Sequence, residues 1–260
     1  MPDGPSPAGD GVFRWRDKNR WRKEIRQLFA DIISKDVIDF ILSHPPEYIV
    51  GDDLSWFAEP MYSITGFDGN LFEEFENRFP TRFPSIYAFH GCRPLNWKSY
   101  QIQGVCLSNT VVLKCEARKI FGESDALQAA LNEVEVDYVE YNEGYIYLCL
   151  DQWELVRRSG HYLKYGSEYL YCVARKLCLK HLLRERGIPT LIHCKLFYDW
   201  LTPKSRKDLM GIIFQDLFSH LLGKPMEDSN YLLFSIKAQK PIPPQNIIHM
   251  EQVKNFYSDL

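Results

Sequence analysis

The segment from Ser85 to Arg93 constrains the fold of this chain more than any other. It reads Ser-Ile-Tyr-Ala-Phe-His-Gly-Cys-Arg, a run of apolar and aromatic residues that favours a short buried strand. The run ends on a histidine, His90, and a glycine, Gly91, follows it directly. Glycine lets the backbone approach a flat ligand closely, and an imidazole can hydrogen-bond a hydroxyl group. The step therefore predicts a binding site at a strand end, with a histidine that only caps the strand as the structural alternative.

The chain has the composition of a globular protein. Its 260 residues suffice for one domain with an appendage or for two small ones, and 45% of them are hydrophobic. The net charge of −3 gives no general reason to expect nucleic acid or an anionic membrane as a partner. No apolar run approaches the length of about 18 residues that a spanning helix needs, so the sequence predicts no membrane span and no general secretory signal.

The cysteines indicate the compartment. All seven are scattered, without a Cys-x-x-Cys pair, and several lie within apolar runs. This pattern favours reduced packing residues and supports no zinc site. We therefore expect a cytoplasmic protein without a metal centre, and this expectation leaves room for delivery into a host or target cell by a specialised secretion machine.

The first part of the chain is predicted to be helical. Residues 1–12 are rich in Pro, Gly, Ser and Asp, which favours disorder, and residues 13–80 form a helical N-terminal part that begins near Phe13. The first helix carries an apolar stripe made of Trp21, Ile25, Leu28, Phe29, Ile32 and Ile33. The same segment carries a basic set made of Arg14, Arg16, Lys18, Arg20, Arg22, Lys23 and Arg26. A solvated helix face explains the basic set best, and contact with phosphates or an acidic partner is the alternative.

Strands and helices alternate from Pro84 onward. The predicted strands cover residues 85–91, 144–150, 190–196 and 230–236, and the main predicted helices cover 124–133, 167–186 and 203–222. The sequence contains no Gly-rich phosphate loop and no regular series of βαβ units. This argues against a doubly wound nucleotide fold and for an α+β arrangement of short strands with helices between them.

Three short motifs resemble those of the ADP-ribosyltransferase superfamily. The His90-Gly91 step, followed by a helix and the Gly104-Val105 turn, is similar to the first motif of that family. Gly144-Tyr145-Ile146-Tyr147 resembles its second core strand, and the Ile-Pro-Pro-x-x-Ile sequence at 242–247 resembles its closing turn. The likeness covers about residues 84–248 and implies an ADP-ribosyltransferase-like domain at 81–260. In the family, the α+β core consists of two small sheets that form a cleft for a bent NAD molecule.

The resemblance implies that NAD is the co-substrate. The residues it points to for NAD binding are His90, Gly91, Arg93, Tyr147, Tyr165 and Ser167. Cleavage of the bond between nicotinamide and ribose passes through an oxocarbenium-like state, so catalysis needs a held ribose and a fixed negative charge. In the family a glutamate at the start of a late core strand supplies the charge, whereas this sequence has Asn230 there. We therefore predict His90 as the residue that holds the ribose, and Glu168, then Asp228, then Asn230, as the catalytic group.

The leading functional prediction is a mono-ADP-ribosyltransferase that modifies a macromolecule, most readily a protein, as a bacterial effector or toxin does. An RNA 2′-phosphotransferase-like enzyme on the same fold is one alternative, and a catalytically silent interaction module is another. A thiol hydrolase that uses His90 and Cys92, which share one face of a strand, is a third. The sequence leaves the oligomeric state open.

Three other histidines are predicted to be structural. His161 is expected at a helix-to-loop junction together with Tyr162, and His181 near the edge of an apolar helix face. His193 is expected in a partly buried position of a strand.

Overall fold

The computed structural model describes residues 10–158, 160–224 and 235–256. The chain forms two compact units, of which the first contains Met1–Ile86 and Phe197–Phe234, and the second contains Tyr87–Leu196 and Ser235–Leu260. The structure confirms the mixed α+β class. The first unit holds the predicted helical part and, in addition, residues 197–234, which the sequence placed in the second domain.

The described elements are as follows. The strands are β1 (Val12–Phe13), β2 (Ser85–Cys92), β3 (Ile146–Cys149), β4 (Thr190–Phe197), β5 (Ser235–Ala238) and β6 (Ile247–Gln252). The helices are α1 (Lys18–Leu28), α2 (Lys35–Ser43), α3 (Ser55–Thr65), α4 (Leu71–Arg82), α5 (Trp97–Gln103), α6 (Thr110–Phe121), α7 (Asp125–Asn142), α8 (Gln152–Arg157), α9 (His161–Tyr165), α10 (Glu168–Lys176), α11 (Lys180–Arg184) and α12 (Pro203–Leu221). Short 3₁₀ turns cover Tyr198–Trp200 and Pro244–Asn246.

The first unit is organised around buried aromatic side chains. Phe13 is fully buried, and its ring centroid lies 5.5 Å from those of both Phe79 and Phe83. The prediction of a helix from Phe13 was wrong, because Val12 and Phe13 pair in parallel with Ser85 and Ile86 as strand β1. Val12 is also buried, so the disorder predicted for residues 1–12 does not extend to it, and residues 1–9 lie outside the described part of the chain.

Strands of the second unit follow the order β5-β3-β2-β4-β6. β3 runs antiparallel to β2 and β5, and β4 runs antiparallel to β6 with an irregular register between His193 and Cys194. The described strands therefore lie in one sheet, whereas two small sheets were predicted. A single sheet forms because β2 and β4, which have eight residues each, are neighbours in the middle of the strand order. Each of them has a further strand on its other side.

The helical segment predicted at 167–186 is in fact two short helices, α10 and α11. Cys178 lies between them with a φ of 58°, a left-handed conformation that ends a right-handed helix. The amide of Leu179 donates to the carbonyl of Ala174, which closes the end of α10. Helices α6 and α9 were not predicted, and α6 packs with α7 and α10 around a buried core that includes Leu131.

The sequence also predicts helix starts at Asp151 and at the Thr202-Pro203 pair, and the structure confirms both. The Thr202 hydroxyl accepts from the amide of Ser205 at the start of α12, and the Asp151 carboxylate accepts from the amide of Trp153 at the start of α8. The predicted strand at 230–236 is described from Ser235 onward, as β5. Among the described residues, no helix has the length and apolar character that crossing a membrane requires.

Candidate functional site

A cavity of about 930 Å³ lies in the second unit, at the end of β2. Its volume is in the upper part of the range that small-molecule sites occupy, about 300–1,000 Å³. Its lining includes every described residue that the sequence assigned to the site: His90, Gly91, Arg93, Tyr147, Tyr165, Ser167 and Glu168. Asp228 and Asn230, the other two predicted catalytic residues, lie outside the described residues.

His90 is held in one tautomer. Its Nδ1 atom lies 2.9 Å from the backbone oxygen of Tyr147. A carbonyl oxygen only accepts, so Nδ1 carries the proton and donates, which leaves Nε2 with a lone pair. Burial lowers the pKa of His90 below its ordinary value of 6.5, and this outweighs the opposing effect of the hydrogen bond to Tyr147. The imidazole is therefore neutral at pH 7 and offers Nε2 as an acceptor for a hydroxyl group.

The lowered pKa of His90 predicts how ligand binding and stability depend on pH. An imidazole with the ordinary pKa would be half protonated at pH 6.5, and the lowered pKa of His90 makes its protonated fraction there smaller. We expect the NAD affinity to fall less between neutral pH and pH 6.5 than it would with an imidazole of ordinary pKa. The unfolded chain binds more protons than the folded chain just below pH 6.5, so the free energy of unfolding should fall as the pH falls through that value.

Denaturant titrations of the wild type and of His90→Gln at both pH values would measure this effect. The variant should lose part of the pH dependence of stability. An unchanged pH dependence in the variant would show that His90 is not the group responsible.

The packing around Gly91 leaves little room for a side chain. A Cβ atom at this position would lie 3.1 Å from Cδ2 of Leu155 and 3.4 Å from Cβ of Tyr162. Helices α8 and α9 carry these two side chains, so the absence of a side chain lets both helices approach β2 closely. Gly91 thereby sets the distance between the strand end and the wall that contains Tyr162.

Arg93 fixes the segments around the cavity. Its Nε donates to the backbone oxygen of Arg186 at 2.6 Å, its Nη1 donates to that of Leu163 at 3.1 Å, and its Nη2 donates to that of Arg184. The guanidinium therefore ties the end of β2 to the ends of α9 and α11. Arg93 was predicted to bind NAD, and the contacts give it a positioning role.

The tyrosines in the lining differ in how much ring they offer to a ligand. Tyr147 is partly exposed, and its hydroxyl donates to the backbone oxygen of Tyr141 at 2.9 Å. The Lys237 ammonium lies 4.8 Å from the Tyr147 ring centroid. Tyr165 is only 5% exposed, and its ring packs 4.8 Å from that of Tyr171. Tyr147 is thus the better candidate for stacking on a flat ligand, while Tyr165 belongs mainly to the core.

Tyr162 is a cavity residue that the sequence assigned to a junction. Burial raises the pKa of its hydroxyl, so the group stays protonated and can donate a hydrogen bond at all physiological pH values. The signal that could have revealed it is its position in an aromatic-rich segment directly before the Gly166 turn.

Glu168 is the carboxylate at the cavity wall. It lies in the first turn of α10, behind the N-cap Ser167, where the helix dipole favours a negative charge. One carboxylate oxygen lies 3.1 Å from Nε2 of His161, and the other accepts from the Cys172 thiol at 3.7 Å. The hydrogen bond with His161 lowers the pKa of Glu168 despite the opposing effect of burial. The carboxylate is therefore ionised at neutral pH.

His161 was not among the predicted site residues. It does not line the cavity itself but holds Glu168 from behind, across the turn at Gly166. The sequence signal was a His and a Glu on either side of a glycine, within seven residues, which is too common a pattern to point to a contact.

Cys92 is poorly suited to nucleophilic attack. It is buried, its thiol donates to the backbone oxygen of Thr190 at 3.7 Å, and burial raises its pKa to about 12. A thiol with that pKa is neutral at physiological pH, whereas nucleophilic catalysis requires the thiolate. Within the described ranges, no group of three or more His, Cys, Asp or Glu side chains is placed to hold a metal ion.

Two of the motifs that carry the resemblance meet at the wall of the cavity. Gly104 and Val105 line it, and Val105 forms an antiparallel bridge with Ile242 through two backbone hydrogen bonds of 2.8 and 2.9 Å. The turn after Ile242 is fixed by Asn246, whose side-chain amide donates to the backbone oxygen of Lys195 at 2.7 Å. The Gly-Val and Ile-Pro-Pro sequences thus form one structural unit.

Comparisons of this chain with models of protein families, with curated protein sequences and with solved structures found no match.

Proposed function

We propose that the second unit is a mono-ADP-ribosyltransferase that transfers ADP-ribose from NAD to a protein acceptor. The observation that carries the proposal is the presence, in one cavity, of a neutral histidine with a free acceptor nitrogen and an ionised glutamate. Both groups follow from the local fold, since His90 is oriented by a backbone carbonyl and Glu168 by the start of a helix.

The binding of NAD uses the groups described above. Nε2 of His90 accepts a hydrogen bond from a ribose hydroxyl, because no described residue occupies that nitrogen. The nicotinamide ring packs on Tyr147, with the Tyr162 hydroxyl as an additional donor. The remainder of the dinucleotide occupies the part of the cavity between the strand end and helices α5 and α6.

The proposed reaction needs one fixed charge and no metal. The bond between the anomeric carbon of the ribose and the nicotinamide nitrogen breaks, and its electron pair leaves with nicotinamide, which becomes neutral. The ribose carbon gains positive character, which the Glu168 carboxylate stabilises. A nucleophilic atom of the acceptor then forms the new bond, and its proton passes to solvent.

A catalytically silent NAD-binding module is the second candidate, and the contacts of Glu168 favour it. Both carboxylate oxygens of Glu168 already have partners, His161 and Cys172, as in a structural pair. A 2′-phosphotransferase activity is less well supported. It depends on arginines that grip phosphate, and the Arg93 side chain is engaged with three backbone carbonyls.

The setting we propose is a reducing compartment, the cytoplasm of the producing cell or of a cell that receives the protein. All seven cysteines are unpaired, including the exposed Cys106, Cys115 and Cys178. Structural disulfides are common in oxidising compartments. The role of effector or toxin belongs to the same proposal.

Incubation with biotinylated NAD and lysates from bacterial and eukaryotic cells tests the transferase proposal. We expect a discrete labelled protein band with the wild type. His90→Ala should weaken NAD binding and reduce labelling, because the ribose hydroxyl loses its acceptor. Cys92→Ala, on the same strand two residues away, should keep most of the labelling because the buried thiol takes no part in the reaction.

Two outcomes would contradict these expectations. Loss of all labelling in a folded Cys92→Ala variant would favour a thiol mechanism instead. Wild-type protein that binds NAD but labels nothing and releases no nicotinamide would favour the silent module.

A further inference from the structure

The first unit contains another cavity, with a volume of about 550 Å³, between helices α1, α2 and α12. We call it the basic cleft. Its cationic residues are Arg22, Lys23, Arg26 and Lys35, and no acidic residue is among the residues that line it. The basic set that the sequence placed on the first helix is therefore partly gathered at a concave surface rather than spread over a convex one.

The cations of the basic cleft differ in their partners. Arg22 pairs with the buried Asp216 carboxylate at 2.6 Å, and Lys35 pairs with Asp39 on its own helix. Lys23 and Arg26 are exposed, and neither forms an ion pair with any carboxylate in the described part of the chain. They lie three residues apart on α1, which puts them on neighbouring positions of one helix face. Two positive charges are therefore left for an external anion.

The floor of the basic cleft is aliphatic. Ile33 and Ile38 on the α1–α2 side and Leu217 of α12 are buried, and Leu221 of α12 is partly exposed. No Phe, Tyr or Trp is among the lining residues. The imidazole of His220 is the one ring in the lining. Single-stranded nucleic acids are usually bound by stacking several bases on aromatic rings, so this lining fits them poorly. It fits a polypeptide with apolar side chains on one face and carboxylates beside them.

We propose that the basic cleft binds an acidic amphipathic segment of a partner protein. An apolar side chain of that segment lies on the partly exposed Leu221, and its carboxylates pair with Lys23 and Arg26. This site belongs to the first unit alone and does not depend on the proposed NAD chemistry. It supplies the chain with a means of binding a protein partner.

Fluorescence anisotropy tests the proposal with a short labelled peptide that has Leu at helical spacing and Glu at the remaining positions. We expect saturable binding that weakens as salt is added, because the exposed charge pairs are screened. A peptide with Lys in place of Glu should not bind. A labelled oligouridylate serves as the nucleic-acid probe and should bind more weakly than the acidic peptide.

Two variants locate the binding site and one serves as a control. The double variant Lys23→Glu, Arg26→Glu should weaken peptide binding about tenfold or more, since two attractive pairs become repulsive. Ala30→Trp, at an exposed position of the lining, should block the cleft without a change of charge. Lys207→Glu changes an exposed lysine of α12 that does not line the cleft, and it should leave peptide binding unchanged.

Equal loss of binding in Lys207→Glu would show that the net charge of the unit, and not the cleft, attracts the peptide. Tighter binding of the oligonucleotide, or unchanged peptide binding in both cleft variants, would overturn the proposal. Circular dichroism of each variant shows that it is folded, and the conservative pair Lys23→Arg, Arg26→Lys should retain binding.

Discussion

Glu168→Gln is expected to slow the transfer of ADP-ribose by about 10²–10³-fold while NAD still binds. The substitution keeps the size and shape of the side chain and removes its charge. A fixed charge that faces a developing cation stabilises the transition state more than the bound substrate, so its loss lowers the rate and largely spares affinity. The measurement is the rate of label transfer at saturating NAD, together with NAD affinity from calorimetry.

Three further variants sharpen this test. Asp228→Asn and Asn230→Ala probe the other predicted catalytic positions and should keep most of the activity. His161→Phe should have a smaller effect than Glu168→Gln, because it removes the hydrogen bond that lowers the pKa of Glu168. As the pH is lowered, this variant should therefore lose activity at a higher pH than the wild type does. If Glu168→Gln keeps full turnover and a variant at position 228 or 230 loses its activity, the catalytic group lies in the segment that contains Asp228 and Asn230.

Gly104→Ala is expected to remove a large part of the stability of the protein. Gly104 has a φ of +75°, and a Cβ atom would lie 2.0 Å from the backbone oxygen of Ile242. Such a contact forces the backbone apart and breaks the bridge between Val105 and Ile242. The strained backbone costs about 1–3 kcal/mol and the overpacking about 1–3 kcal/mol more, out of a total stability of about 5–15 kcal/mol.

Gly122→Ala is the matched control for this prediction. Gly122 follows α6 as Gly104 follows α5, with a φ of +77° and a ψ of 170° against +75° and −158° at Gly104. Apart from its two chain neighbours, no described residue has an atom within 4 Å of a Cβ placed on Gly122. The two variants therefore share the backbone strain, and only Gly104→Ala adds the clash. Equal free energies of unfolding for the two variants, measured by denaturant titration, would contradict this account of the cavity wall.

Local signals in the sequence predicted the elements that carry the site. The apolar and aromatic run before His90 identified β2, and the Thr202-Pro203 pair identified the start of α12, because each depends on neighbouring residues alone. Strand β1 has only two residues and exists through its pairing with Ser85 and Ile86, so no local pattern reveals it. The break between α10 and α11 lies at Cys178, a residue type that gives no warning of a left-handed conformation.

The candidate site likewise combines residues that local sequence signals predicted with contacts that those signals could not predict. The sequence identified His90 and Glu168 as residue types with suitable chemistry. It did not reveal that the Tyr147 carbonyl fixes the tautomer of His90, or that the Arg93 guanidinium donates to backbone carbonyls. Both sets of contacts join segments that are far apart in the chain. Sequence patterns thus located the groups, and only tertiary structure defined their states.

Calorimetric titration of the purified protein with NAD tests the central claim most directly. The account predicts saturable binding at one site, with a rise in thermal stability worth about 2.7 kcal/mol when NAD is at a hundredfold excess over its dissociation constant. His90→Ala should weaken that binding, and Gly122→Ala should leave it unchanged. If millimolar NAD, nicotinamide and ADP-ribose all give neither heat of binding nor thermal stabilisation of the wild type, the cavity at the end of β2 is not an NAD site.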